Sequence, residues 1–129
     1  MWYEFLLDNN KLSSFYKKIP ELNNISMINI VFENNGTNIY MDFQMPYLPE
    51  LLLQTPPKED NAIFVEIRLI GVKKIYMKTK GHFDNVNISI EPFGDKYNLK
   101  SKDNLDLDII ARKIRLIKIY TYEQDFEDI

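Results

Sequence analysis

A hydrolytic triad needs a nucleophile, an imidazole base and a group that orients the base. The chain offers one imidazole, His82, in the run Lys80-Gly81-His82-Phe83-Asp84. Asp84 could orient it, but no G-x-S-x-G turn presents a serine to it. An exposed loop histidine is the simpler account. Asp106 and Asp108 are the next candidates. Two apart on a strand, they share one face at about 7 Å, a spacing open to acid–base work or a hard cation. Leu105, Leu107 and Ile109 alternate with them, however, as in any half-solvated strand. The stretch Asp103-Asn104-Leu105-Asp106-Leu107-Asp108 puts leucines where a calcium loop needs ligands, and it lacks the turn glycine. Gly36, Gly71, Gly81 and Gly94 stand alone, so no glycine motif cradles a phosphate. Trp2 and Tyr3 could stack on a base or a sugar, but aromatics at the start of an element pack on a core as readily.

These residues give no catalytic constellation, no cofactor site and no metal site. What remains is the chemistry of surfaces. Tyr40, Asp42 and Gln44 fall on the polar side of one strand, and Tyr120, Tyr122, Glu123 and Asp125 lie near the C-terminus. Tyrosine brings apolar area with few rotamers, and carboxylates bring association rate and selectivity. Together with Asp106 and Asp108 these form the expected partner-binding set, suited to a basic partner.

The elements that must position them follow from periodicity. Leu12, Phe15, Tyr16 and Ile19 recur at helical spacing, with Asn9 or Asn10 as cap, Lys17 and Lys18 at the C-terminal end and Pro20 as stop. This predicts an N-terminal helix. The period then becomes two. Ile28, Ile30 and Phe32 run to Asn34-Asn35-Gly36-Thr37, a hairpin signal, and Ile39, Met41, Phe43 and Met45 return. Pro46, Pro49, Pro56 and Pro57 enclose Leu51-Leu52-Leu53, a long loop whose leucines would cover one end of the core. Alternation resumes at Ile63–Leu69, Ile75–Met77, Val86–Ile90, Tyr97–Leu99, Leu105–Ile109 and Arg115–Tyr122.

The expected fold is one α+β domain over residues 1–129. It comprises a helical segment 1–22, a first hairpin 26–45, a proline-rich loop 46–61, further strands over 62–122 and an acidic tail 123–129. The helix would pack on a mostly antiparallel meander of about eight short strands, strongly curved or closed into a partial barrel.

Composition bounds the remaining possibilities. The chain has 129 residues, 45% hydrophobic, which is enough for one real core without a staple. It has no cysteine, which removes disulfides, thiolate metal sites and cysteine nucleophiles and fits a reducing compartment. No signal peptide or apolar span is recognisable, so a cytoplasmic location is expected, and the sequons at Asn24, Asn35 and Asn87 are chance matches. The net charge of −3 is unevenly spread: residues 1–60 are acidic, 61–102 basic and 103–129 acidic. A basic excess flanked by acidic segments argues against a nucleic-acid partner.

The opening Trp2-Tyr3, Leu7, Asn10, Leu12, Phe15-Tyr16, Ile19-Pro20 and Leu22 resembles the start of immunity protein family 50 of bacterial polymorphic-toxin systems. Phe43-Gln44-Met45-Pro46-Tyr47-Leu48-Pro49 and Thr55-Pro56-Pro57-Lys58 are similar to that family's paired proline clusters, and Gly71-Val72, Ile75 and Met77 also fit. The resemblance implies a cytoplasmic, non-enzymatic protein that neutralises a cognate toxin, often a nuclease, by covering or distorting its active site. It carries over no binding residues. Two other readings stand beside it. One is a small-ligand-binding domain using His82 or Asp106 and Asp108, and the other is a structural module that self-associates through a strand edge.

Overall fold

A computed structural model describes residues 1–45 and 62–122. The proline-rich loop 46–61, with its leucines, and the acidic tail, with Glu123 and Asp125, lie outside the described residues.

The predicted N-terminal helix is absent. Two 3-10 turns, Trp2–Phe5 and Asn9–Ser14, flank a two-residue strand β1, Leu6–Leu7. The α+β assignment is therefore corrected: among the described residues there is strand and turn but no α-helix. The reason is local competition. A helix of two turns is marginal without help, and this segment is rich in Asn and Ser, whose side chains bond nearby backbone instead. Ser13 Oγ donates to the Asn10 carbonyl at 2.7 Å, and Asn9 Nδ2 donates to the Tyr3 carbonyl at 2.9 Å. Asp8, just before the second turn, sits at φ 63°. Leu12 and Tyr16 bury anyway, with Trp2, Leu6 and Leu22, against the sheet. The Trp2 indole N–H is satisfied by the Pro20 carbonyl at 2.9 Å.

Six strands form the body of the sheet: β2 Ser26–Glu33, β3 Asn38–Gln44, β4 Ala62–Thr79, β5 Ser89–Phe93, β6 Lys96–Ser101 and β7 Leu105–Tyr122. Their spatial order is β2-β3-β4-β7-β6-β5, antiparallel throughout, and β1 adds a short parallel pairing to β7 at Leu6–Ile114 and Leu7–Arg115. Two meanders are thus joined back to back by the β4–β7 pair. The terminal strands β2 and β5 do not pair with each other, so the sheet is open and not a barrel. Near that gap, an isolated bridge links Ile25 to Val86.

The expected short strands on either side of Gly71 are one strand of 18 residues, and so are those on either side of residues 110–114. Gly71 does not end β4. At φ +67° it lets the strand bend and continue, next to a register shift between Val72 and Lys74. A second shift lies between Glu66 and Ile67. Two long bent strands thereby serve both meanders. On the first half, β4 pairs with β3 and with the end of β7. On the second half, β7 pairs with β6 and with the end of β4.

The core lies on one face of this bend. Ile39, Met41 and Phe43 of β3, Ile63, Val65, Ile67 and Leu69 of β4, and Leu107, Ile109, Ile114 and Leu116 of β7 are all buried. At about 1.5–3 kcal/mol for each buried aliphatic side chain, the stripe fixes register. A one-residue slip would turn it to solvent.

Candidate functional site

The period of two that buries Ile39, Met41 and Phe43 sends Tyr40, Asp42 and Gln44 to the outer face. The register then sets β4 beside them: Tyr40 opposite Arg68, Asp42 opposite Glu66 and Gln44 opposite Phe64. β7 adds Arg115, Lys118 and Tyr120 opposite Arg68, Glu66 and Phe64. β2 adds Val31 opposite Tyr40 and Asn29 opposite Asp42. The outer face of the first half-sheet therefore consists of cross-strand rows.

One row is aromatic. Phe64 and Tyr120 stack with ring centroids 4.8 Å apart. Tyr122 meets both edge-on, at 6.1 Å from Phe64 and 6.2 Å from Tyr120. The Tyr122 hydroxyl donates to Gln44 Oε1 at 3.2 Å. Burial first, and then the neighbouring Tyr120, push the Tyr122 phenol above its ordinary range. Tyr120 keeps 42% of its surface exposed, so the packed cluster still presents apolar area to solvent.

The next row is charged. Asp42 and Glu66 face each other, with Lys118 on the far side of Glu66. Asp42 Oδ2 accepts from Asn29 Nδ2 at 3.3 Å, but Asp42 Oδ1 is sealed from solvent with no donor among the described residues. A proton on Glu66 would satisfy it. Accordingly, burial, the hydrogen bond with Asp42 and the Asp42 charge raise the Glu66 carboxyl, and Lys118 opposes this. In the third row the Arg68 guanidinium lies over the Tyr40 ring at 4.9 Å, a cation–π contact. Its Nε is also sealed and has no hydrogen-bond partner among the described residues.

Of the residues expected from sequence, Tyr40, Asp42, Gln44, Tyr120 and Tyr122 come together here. Asp106 and Asp108 do not. They sit on the other half of β7, and from Asp108 to Tyr120 is about 40 Å of strand. Nor are they a free acidic patch. Asp108 Oδ2 pairs with Lys74 Nζ at 3.1 Å, and its Oδ1 accepts from Asn98 Nδ2 at 2.8 Å. The Asn98 hydrogen bond and then Lys74 hold its carboxyl below the usual range. Asp106 stands opposite Lys78, in a shallow depression shared with Lys80, Lys102 and Asp103. His82 is exposed in its loop. Among the described residues no three His, Asp or Glu side chains are grouped so as to hold a metal ion.

Phe64, Glu66, Arg68 and Lys118 are the residues sequence reasoning left out. Their signal was present as alternation, since Phe64, Glu66 and Arg68 occupy the polar phase of β4. It read as an ordinary solvated face until the β3–β4–β7 register set them beside Tyr40, Asp42 and Tyr120.

The geometry defines an open antiparallel sheet that presents an aromatic and charged outer face. A crystal structure of an uncharacterized protein from Neisseria gonorrhoeae shares this fold, with a TM-score of 0.50 and 16% identity, over 75% of this chain and 90% of that one. No curated protein matched the chain. The model of the Immunity protein 50 family matches residues 8–122, and the chain belongs to that family.

Proposed function

We propose that the chain is a non-enzymatic immunity protein that binds a cognate bacterial toxin domain in the cytoplasm and neutralises it through the outer face of β3, β4 and β7. Membership of the Immunity protein 50 family carries this reading. The face itself supports the choice of surface. Phe64, Tyr120 and Tyr122 form a pre-ordered aromatic anchor of the kind that concentrates binding energy at interfaces. Asp42 and Glu66, set side by side across β3 and β4, concentrate negative charge on this face, which a lysine or arginine of the partner would relieve. A nuclease, whose substrate site is basic, is the toxin class that fits them.

The test is rescue by co-expression. The toxin domain encoded next to this protein is expressed in a bacterial host with and without the chain. The proposal expects death alone and survival together. Death in both cases, with the chain folded and abundant, would overturn it.

A further inference from the structure

Natural sheets guard their open edges, because an unpaired row of N–H and C=O groups will pair with any strand that fits. Three of the edges here are guarded. The second half of β4 carries Lys73, Lys74 and Lys78. β5 contains Pro92 and lies beside the first 3-10 turn. Past its pairing with β1, β7 has its Leu116 and Ile117 carbonyls engaged by Lys11 Nζ at 3.4 and 3.1 Å. β2 differs. Its sequence Ser-Met-Ile-Asn-Ile-Val-Phe-Glu contains no Lys, Arg or Pro. Its register shift sits at Met27–Asn29, the end already covered, where the Met27 N–H donates to the Phe83 carbonyl at 2.7 Å. From Ile28 onward the outer edge has no backbone partner among the described residues. Ile28, Val31 and Phe32 are 42%, 46% and 44% exposed along it.

We propose that this edge pairs with the same edge of a second copy of the chain, antiparallel and centred on Ile30. The residue pattern selects this occupant. Antiparallel pairing about Ile30 sets Ile30 against its own copy and Ile28 against Phe32 on either side of the axis, with Asn29 against Val31 between them, so three of the five opposed pairs are apolar throughout. The single charge of β2 is Glu33. The antiparallel arrangement holds the two copies of it roughly 20 Å apart, whereas a parallel pairing would set them side by side, which destabilises. The dimer would be a continuous sheet across two chains. It leaves Phe64, Tyr120 and Tyr122 uncovered and does not depend on the immunity reading.

The experiment uses the full chain. Sedimentation velocity is run from low to high micromolar concentration on the wild type and on Val31→Lys, an exposed substitution that spares the core. Cysteine trapping accompanies it, since the chain has no cysteine of its own. Opposed residues of an antiparallel pair have Cα atoms about 4.5–5.5 Å apart, within disulfide reach. The expected result is a concentration-dependent dimer whose dissociation constant rises by about tenfold or more in Val31→Lys. Oxidation should link Ile30→Cys chains covalently and leave Ile75→Cys chains, altered on the guarded β4 edge, without a disulfide link. A wild type that is monomeric throughout, a dimer indifferent to Val31→Lys, or equal trapping at both positions would overturn the proposal.

Discussion

Gly71 lets one strand serve two meanders, so Gly71→Ala should damage the fold in a calculable way. Its φ of +67° is costly for any residue with a Cβ, by roughly 1–2 kcal/mol. The added methyl carbon would also lie 2.9 Å from Arg112 Nε and 3.2 Å from both its Cβ and its Cδ. Arg112 is exposed and its outer atoms can swing away, but its Cβ is fixed to the strand, so about 1 kcal/mol of crowding persists. Alanine lowers the entropy of the unfolded chain, which returns about 0.5 kcal/mol. The net loss is about 2 kcal/mol, or about 8 °C in Tm for a domain near this size. Urea denaturation of both forms measures it. Two companions divide the cost. Gly81, at φ +97°, has nothing within 4 Å of an added Cβ, so Gly81→Ala isolates the backbone component. Arg112→Ala in the Gly71→Ala background removes the Nε and Cδ contacts and should recover only part of the loss. A Gly71→Ala protein within about 0.5 kcal/mol of wild type would refute the account of the bend.

Tyr16 is buried, its hydroxyl has no hydrogen-bond partner among the described residues, and burial pushes its phenol well above the ordinary value. Tyr16→Phe removes an unsatisfied group without changing shape and should stabilise by about 1 kcal/mol; a loss of stability in urea would show that the hydroxyl is bonded. At Glu66 the folded carboxyl titrates above its ordinary 4.5, so between that value and the raised one the folded chain holds a proton the unfolded chain has released. Stability from this group is therefore full below pH 4.5 and lost as pH rises through the raised value. Glu66→Gln supplies Asp42 Oδ1 with a permanent donor and should be more stable than wild type at pH 7, with the advantage shrinking on acidification. An advantage that is constant with pH, or reversed at pH 7, would contradict the shared-proton picture.

What the sequence made legible was set by short-range physics. The alternation around Asn34-Asn35-Gly36 marks both β2 and β3, because a two-residue period and a turn that accepts positive φ are local properties. The helix expected between its Asn9 or Asn10 cap and Pro20 failed because two apolar turns read the same whether Leu12 and Tyr16 pack from a helix or from irregular chain, and Asn and Ser side chains decided for the latter. The strand breaks expected at Gly71 and at residues 110–114 failed because a glycine bend and a chain end look alike until the partner strand is known. The aromatic and charged outer face was half legible. Tyr40, Asp42 and Gln44 share a strand, so their common face follows from period alone. That Phe64, Glu66 and Tyr120 join them, and that Asp108 is neutralised by Lys74 far from them, are facts of register between strands distant in sequence.

The claim that the outer face of β3, β4 and β7 docks the toxin is tested most directly by titration calorimetry with the isolated toxin domain. Tyr120→Ala and Lys118→Glu alter exposed side chains on that face, and Asp106→Lys alters the other half of β7. The account predicts that Tyr120→Ala weakens binding by about 2 kcal/mol, roughly 30-fold, that Lys118→Glu, which removes a cation beside Glu66 and adds a carboxylate, tightens it measurably, and that Asp106→Lys leaves it within about twofold of wild type. Affinity untouched by Tyr120→Ala and Lys118→Glu but lost in a folded Asp106→Lys protein would contradict it and move the docking surface to the second half-sheet.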